Sequence, residues 1–358
     1  MSHFHTLTVS ELRQETRDSV SIVLDIPKEL TEKFQFHPGQ YLTLKCDIDG
    51  EEVRRSYSIC SGLGDDEVRI GVKRVVGGLF SNYANDELAV GDSLEVMEPA
   101  GHFYIELDPT RQGNYLMVAA GSGVTPILSQ IKSILRAEPL SQITLIYGNR
   151  ATSSTMFRDQ LEDLKNSYMG RLNLIFVFSR EQQDIDLYNG HIDADKCRSL
   201  FKRWIDAKNL TAAFICGPQS MTETVSEELI AAGTDKERVH FELFGTTADA
   251  GKAAARAEAA ARATHVSEIQ IIRDGHSRTF ELAQNSQNLL DAGNEQGAEL
   301  PYSCKAGVCS TCKCKVIEGE VEMDVSLGLE DYEVKAGYVL SCQSYPISDR
   351  VVLDFDEI

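Results

Sequence analysis

The chain has 358 residues, 42% hydrophobic and 25% charged, with a formal net charge of −20, the composition of a globular protein of two or three domains. That charge argues against nucleic acid as a partner, because phosphate binding needs a basic surface. There is no run of eighteen apolar residues, and Met1-Ser2-His3-Phe4-His5 lacks the basic flank and apolar core of a secretion signal. The expected setting is therefore cytoplasmic and reducing, away from the membrane, with the nine cysteines unpaired as disulfides.

Up to about Leu107, apolar and polar residues alternate in short runs broken by Gly and Pro, as in Val20 to Ile26, Tyr41 to Cys46 and Val68 to Val72. This pattern predicts an antiparallel sheet or small β-barrel over residues 1–108. From Asn114 the pattern changes. Tyr115 to Ala120 is continuously apolar, and a Gly-rich turn and a helix over Ile127 to Arg136 follow it. Further apolar strands are predicted at Ile143 to Tyr147, Leu172 to Phe178, Ala212 to Cys216 and Val239 to Phe244. Strands of this kind alternating with helices imply a parallel sheet covered on both faces, an α/β domain over 112–245.

Residues 246–266 are compositionally separate. They are rich in Ala and carry almost nothing large to bury, so they read as a linker, helical in its second half. Residues 267–358 return to short strands, with one helix near Asn288 to Gln296. This last stretch has 17 Asp and Glu against 7 Lys and Arg, a net of −10 and half the charge of the whole chain. Such acidity is either a solubilising surface or a docking face for a basic partner.

Five of the nine cysteines lie between Cys304 and Cys342. Cys304, Cys309 and Cys312 follow C-x4-C-x2-C, and Cys342 follows after 29 intervening residues, the ligand spacing of a plant-type [2Fe–2S] cluster. Zinc would prefer C-x2-C pairs. The small Ala306 and Gly307 let backbone N–H groups approach the sulfurs. Cys314 is expected not to be a ligand, and Cys46, Cys60 and Cys197 to be buried core thiols. His37, His102, His191 and His240 are scattered and read as structural.

The segment Pro301 to Cys312 resembles the cluster loop of plant-type ferredoxins, and Leu340-Ser341-Cys342-Gln343 their fourth-ligand segment. Arg55-Ser56-Tyr57-Ser58 resembles the R-x-Y-S motif of the ferredoxin–NADP reductase superfamily. Pro38-Gly39-Gln40-Tyr41 before it and Gly77-Gly78-Leu79-Phe80-Ser81 after it match as well. In that family Arg55 and Ser56 would lie at the flavin, with Arg55 neutralising its pyrophosphate, Tyr57 packing on the isoalloxazine and Ser58 bonding near the hydride-accepting nitrogen. Gly78, Leu79, Phe80 and Ser81 would open a helix at the pyrophosphate.

Gly121-Ser122-Gly123-Val124-Thr125-Pro126 follows a buried strand and precedes a helix, the context a nucleotide-phosphate turn requires. Its G-x-G-x-x-P form resembles the reductase superfamily, which makes Gly121, Gly123 and Thr125 nucleotide-site candidates. Cys216-Gly217-Pro218 resembles the family's C-G-P, with Cys216 beside the nicotinamide and Gly217 in the turn. Ser179-Arg180 resembles the pair that grips a 2′-phosphate. Tyr188 is a candidate for stacking on the adenine, and Phe244 for shielding the flavin.

The whole chain is thus similar to reductases fused to a C-terminal ferredoxin, and among these to the reductase components of phenylacetyl-CoA epoxidases more than to phthalate dioxygenase reductases, whose flavin is FMN. The resemblance implies an antiparallel β-barrel flavin domain, a parallel-sheet α/β nucleotide domain and an α+β β-grasp ferredoxin domain. It implies FAD, a [2Fe–2S] cluster and NADPH in preference to NADH, catalytic Ser58 and Cys216, and an oxygenase that accepts single electrons, the phenylacetyl-CoA epoxidase complex. Two alternatives stay open: an NADH-dependent reductase of another di-iron or Rieske oxygenase, and a redox-sensing binding protein.

Overall fold

The computed structural model describes residues 4–244 and 265–357. Those residues fall into two compact units, one ending at Leu243 and the other beginning at Phe244. Most of the linker, including its expected helix, lies outside the described residues.

The first unit holds two sheets. Strands β1 (Phe4–Thr16), β2 (Ser19–Asp25), β3 (Tyr41–Ile48), β4 (Glu51–Ser58), β5 (Val68–Lys73) and β6 (Ser93–Met97) form an antiparallel sheet in the order β4-β3-β6-β1-β2-β5. The free edges meet where Ile59, just past β4, bridges Ile70 of β5, which closes the sheet towards a barrel. The alternation seen in the sequence has its cause here. Leu7, Val9, Ile22, Leu42, Leu44, Ile70 and Val96 all join one core, and the intervening residues lie on the opposite face of their strands. Helix α1 (Leu79–Asp86) plugs this core with Phe80 and Ala84.

The second sheet is parallel: β7 (Asn114–Ala120), β8 (Gln142–Asn149), β9 (Leu172–Phe178), β10 (Ala212–Cys216) and β11 (Val239–Glu242), in the order β11-β10-β7-β8-β9. Helices α2 (Val124–Ala137) and α3 (Arg158–Ser167) pack on one face, and α4 (Ala194–Trp204) and α5 (Gln219–Ala231) on the other. Coverage of both faces is why β7 is apolar throughout instead of alternating. Ile127, Ile131, Ile134 and Leu135 give α2 its buried stripe, and Pro126 sits in its first turn, where no intrahelical N–H is needed. The helix starts three residues earlier than its apolar stripe suggests, because the Gly-rich turn runs straight into it. The strand expected to reach Phe244 stops at Glu242. Barrel and parallel sheet are sewn together by Ser129 Oγ donating to Ser61 O at 2.6 Å and Lys132 Nζ donating to Asp65 at 2.8 Å.

The second unit is a mixed sheet of β12 (Val266–Arg273), β13 (His276–Ala283), β14 (Lys313–Glu318), β16 (Tyr338–Leu340) and β18 (Arg350–Asp354), ordered β13-β12-β18-β14-β16 with β12 and β18 parallel. β15 (Val321–Met323) pairs with β17 (Ser344–Pro346). Helix α6 (Leu289–Glu295), capped by Asn288 accepting from the Asp291 N–H, drops Leu289 and Leu290 onto Ile269, Ile271 and Leu353. A short α7 (Asp331–Lys335) completes it. This is the expected α+β arrangement.

Candidate functional site

The strand order of the parallel sheet reverses between β7 and β10, and such a switch point opens a crevice at the carboxyl ends of the strands. The glycine turn and the C-G-P segment meet there. A Cβ on Gly123 would come within 2.2 Å of the Cys216 carbonyl oxygen, so only glycine lets the turn pass the end of β10. Gly217 packs in the same way against Met221 and Ala120. Tyr147 donates its hydroxyl to Gly121 O at 2.9 Å and holds the turn from β8. Thr125 is buried and donates to Ser122 O at 3.0 Å, with its methyl against Gly71 of the barrel. It therefore shapes the turn from behind. At the end of β8, Asn149 carries a buried Nδ2 next to the Tyr147 hydroxyl, a polar group at the strand ends where a ligand is expected.

The barrel contributes to this crevice through Ser58. Its Oγ donates to Glu242 Oε2 at 3.3 Å, and Glu242 stands beside Cys216 in the β10–β11 register. Burial pushes the Glu242 carboxyl up to about 8, against the opposing hydrogen bond from Ser58. Burial, and then the neighbouring Glu242, push the fully buried Cys216 thiol well above the usual range. Three groups from two sheets thus meet at one point: a hydroxyl, a carboxyl poised near neutrality and a thiol kept protonated. Glu242 was not singled out from the sequence, although a carboxylate within the apolar Phe241-Glu242-Leu243-Phe244 run was the available signal.

The two flavin motifs touch through Tyr57, whose ring lies 5.3 Å from that of Phe80. Arg55 is exposed and donates to Arg54 O at 2.7 Å. Ser56 Oγ lies 3.1 Å from Thr43 Oγ1. Gly78 is the N-cap of α1, Leu79 is partly exposed, and Phe80 and Ser81 are buried. Ser81 Oγ accepts from the Val75 N–H at 3.1 Å and donates to Gly78 O at 3.3 Å, which fixes the loop ahead of the helix.

Past β9, Ser179 and Arg180 donate backbone N–H groups to Asn149 O and Arg150 O. Arg180 is exposed. Gly190 N–H donates to Phe178 O, so the turn carrying Tyr188 lies beside the Ser179-Arg180 segment. Tyr188 stacks on Trp204, ring centroids 6.5 Å apart. Lys196 clamps this turn by donating to Asp186 O, Leu187 O and Asn189 O at 3.4, 3.0 and 2.6 Å, a role with no signature in the sequence. Phe244 lies beyond the last strand of the parallel sheet and is about half exposed.

In the second unit all four expected ligands sit on or beside one loop. The Ala306 N–H donates to Cys304 Sγ at 3.3 Å and the Cys304 N–H to Cys309 Sγ at 3.4 Å. The Cys309 thiol, aided by backbone N–H groups, holds Cys304 down to about 6, and Cys312 likewise lowers Cys342. The thiols therefore pair two and two, Cys304 with Cys309 and Cys312 with Cys342. Two pairs of thiols are what two irons sharing four cysteine ligands would take. Among the described residues no three His, Cys, Asp or Glu side chains converge on a single-ion site. Gly307 adopts φ +74°, and a Cβ there would meet Val325 Cγ1 at 2.8 Å. Cys314 is fully buried on β14 in the core, and burial pushes its thiol up. None of the nine cysteines is in a disulfide. Cys60 and Cys197 are buried as expected, but Cys46 is only half-buried, because β3 projects past the core at that end.

Comparison with known proteins agrees with this division. Residues 6–105 match an oxidoreductase FAD-binding domain, 117–227 an oxidoreductase NAD-binding domain, and 271–346 a 2Fe-2S iron-sulfur cluster binding domain. The chain is 45% identical over 356 residues to a subunit of 1,2-phenylacetyl-CoA epoxidase from Escherichia coli K12, covering 99% of both chains. It is 34% identical over 356 residues to the ferredoxin reductase component of 3-ketosteroid-9-alpha-monooxygenase from Rhodococcus rhodochrous, covering 98% of this chain and 96% of that one. Among solved structures, phthalate dioxygenase reductase superposes with a TM-score of 0.60 at 26% identity, covering 98% of each chain.

Fold and matched domains together define an electron-transfer oxidoreductase that uses FAD, a pyridine nucleotide and a [2Fe–2S] cluster. The chain belongs to the family of oxygenase reductase components that includes these relatives. No helix among the described residues is long and apolar enough to cross a membrane.

Proposed function

We propose that this chain takes its electrons from NADPH and delivers them to the oxygenase component of a phenylacetyl-CoA epoxidase. The observation that carries the hydride-transfer site is the meeting of Ser58, Glu242 and Cys216 at the switch point of the nucleotide sheet. The similarity over the full chain to a component of that epoxidase supports the choice of partner.

In this reading the chain divides into a flavin domain (1–108), a nucleotide domain (112–245), a linker (246–266) and a ferredoxin domain (267–358). When bound, the cofactors supply hydride and single-electron chemistry. The protein supplies position and charge. Arg55 and the Gly78 to Ser81 helix start hold the flavin pyrophosphate, with Ser56 beside them, and Tyr57 packs on the ring. Ser58 presents its hydroxyl to the reacting edge, while Glu242 holds that hydroxyl and can carry a proton near neutral pH. Cys216, buried and neutral, faces the nicotinamide. Gly121, Gly123 and Gly217 let the nucleotide backbone approach, and Thr125 keeps their turn in shape. Ser179 and Arg180 take the 2′-phosphate, Tyr188 the adenine, and Phe244 the far side of the flavin. Cys304, Cys309, Cys312 and Cys342 bind the cluster. A cluster held by four reduced cysteines fits a reducing, cytoplasmic setting.

Steady-state kinetics on Arg180→Ala test the nucleotide. A charge-assisted contact contributes about 1.5–3 kcal/mol. The expected result is a fall in kcat/KM for NADPH of about tenfold or more, with NADH little affected. Equal losses with both would remove the 2′-phosphate role. Reduction of the purified E. coli epoxidase by NADPH through this chain tests the partner, and no reduction would reject it.

A further inference from the structure

A hydride brings one proton with its two electrons. Where the electrons leave singly through a cluster, that proton must reach solvent once in every turnover. Ser58 and Glu242 mark the start of a path, and among the described residues Ser58 is the only hydrogen-bond partner of the Glu242 side chain. The next polar side chain along the strand is His240. In the register of β10 with β11, Phe214 stands opposite His240 and Cys216 opposite Glu242. Phe214 and Cys216 share one core cluster, and the His240 imidazole stacks on Phe214 with ring centroids 5.0 Å apart. His240 and Glu242 therefore occupy the same face of β11, two residues apart, with their Cβ atoms about 7 Å from each other. The two side chains and one bridging water can span that gap. Val239 and α5 belong to the opposite face. β11 is an edge strand, and the His240 side chain is only half-buried there, so it still meets water. A histidine packed into a core is ordinarily held by a hydrogen bond. This one has none among the described residues and is held by ring stacking, which leaves both ring nitrogens able to exchange protons.

We propose that His240 is the outlet of a proton relay that runs from Ser58 through Glu242 and His240 to solvent. The relay rests on the hydride-transfer reading above and adds the exit for its proton. The balance is one proton: NADPH gives up a hydride and becomes NADP+, two electrons pass singly to the cluster, and one H+ remains at the reacting edge. The Ser58 hydroxyl passes it to the Glu242 carboxyl, which takes it on one oxygen and releases one from the other. A ring nitrogen of His240 accepts that proton while the other nitrogen gives its own to water. Burial lowers the His240 pKa below its ordinary 6.5, and no charged side chain adds to that effect, so the ring is neutral at pH 7 and can accept. Transfer from Glu242, raised to about 8, is uphill, so the ring hands the proton on and does not store it.

The test compares the full-length holoprotein with His240→Phe, which keeps a ring on Phe214, and His240→Gln, which keeps a polar side chain that carries no proton. Anaerobic flavin reduction by NADPH moves the hydride before any proton has to leave, and should stay within about twofold of wild type. Reoxidation by ferricyanide should slow by about 10²-fold, the lower end for a positioned acid–base group, and proton release read with a pH indicator should slow in step. Added imidazole should restore both rates. In wild type, reoxidation should fall as pH drops and the ring becomes protonated; both variants should lose that limb of the profile. NMR of the protein labelled at histidine gives a readout apart from turnover: the His240 signal, assigned by its absence from the variants, should titrate below 6.5. A ring that titrates above 6.5 would store the proton and overturns the outlet. Unchanged reoxidation and proton release in both variants overturn the relay and leave the function standing. Equal slowing of flavin reduction and reoxidation, without imidazole rescue, overturns it too, because the ring would then only shape the site. A wild-type chain whose flavin NADPH does not reduce rejects the function, and the relay with it. If His240→Phe loses its FAD, His240→Gln and the wild-type titration still decide.

Discussion

Glu242 is a side chain whose chemistry is reset by its surroundings. Its carboxyl, ordinarily near 4.5, is raised to about 8 by burial. Between those values the folded protein holds a proton that the unfolded chain releases, so stability falls as pH rises through this window. Melting curves of the flavin-depleted protein should show Glu242→Gln gaining on wild type from pH 5 to pH 8; a pH-independent difference would contradict the burial argument. Ser58→Ala removes the donor to Glu242 and should lower kcat for ferricyanide reduction by about 10²-fold, with FAD still bound. The cluster ligands give a sharper contrast. Cys304→Ser or Cys342→Ser should bleach the iron–sulfur absorption and keep the flavin. Cys314→Ser, fully buried two residues beyond Cys312, should retain the reduced-state EPR signal. Loss of that signal in Cys314→Ser would break the ligand assignment.

At the level of elements, binding segments are held by polar clamps from their neighbours. The Tyr188 turn has no regular hydrogen-bond ladder of its own beyond a single 3-10 turn, and Lys196 on α4 replaces one by donating to three of its carbonyls. Lys196→Met keeps the aliphatic stem and removes the clamp. It should raise the KM for the pyridine nucleotide by about three- to tenfold, for a lost charge-assisted contact, and leave kcat at saturation near wild type. A change confined to kcat would show that the turn acts on the chemistry and not on binding. The glycine turn is stiffened differently, by Tyr147 from β8 and by the backbone carbonyl of Cys216 close against Gly123. Its tolerance of mutation is limited by packing more than by hydrogen bonding.

Across the whole molecule, the division into two compact units follows from separate cores. The barrel and the parallel sheet bury their own apolar clusters within the first unit, and the ferredoxin-like sheet buries another within the second. Each unit therefore meets the condition for folding alone. A fragment of residues 1–246 should bind FAD and reduce ferricyanide with NADPH, yet fail to drive an oxygenase. A fragment from Ser267 onward should hold the cluster and oxidise no NADPH. A flavin fragment that cannot bind FAD, or one that reduces the oxygenase as fast as the full chain, would overturn the order of electron flow.

The sequence by itself determined what local pattern and covalent spacing can encode. Alternation marked the barrel, continuous apolar runs marked the parallel sheet, and C-x4-C-x2-C with a distant fourth cysteine marked the cluster, because ligand spacing is a property of the chain. Only the tertiary structure decided which groups converge from strands far apart in sequence. Ser58 and Glu242 are 184 residues apart and meet at 3.3 Å. The apolar run around Glu242 hints at a carboxylate out of place but not at its partner, and the clamp of Lys196 has no signature in neighbouring residues, since burial and through-space hydrogen bonds arise when separate elements pack.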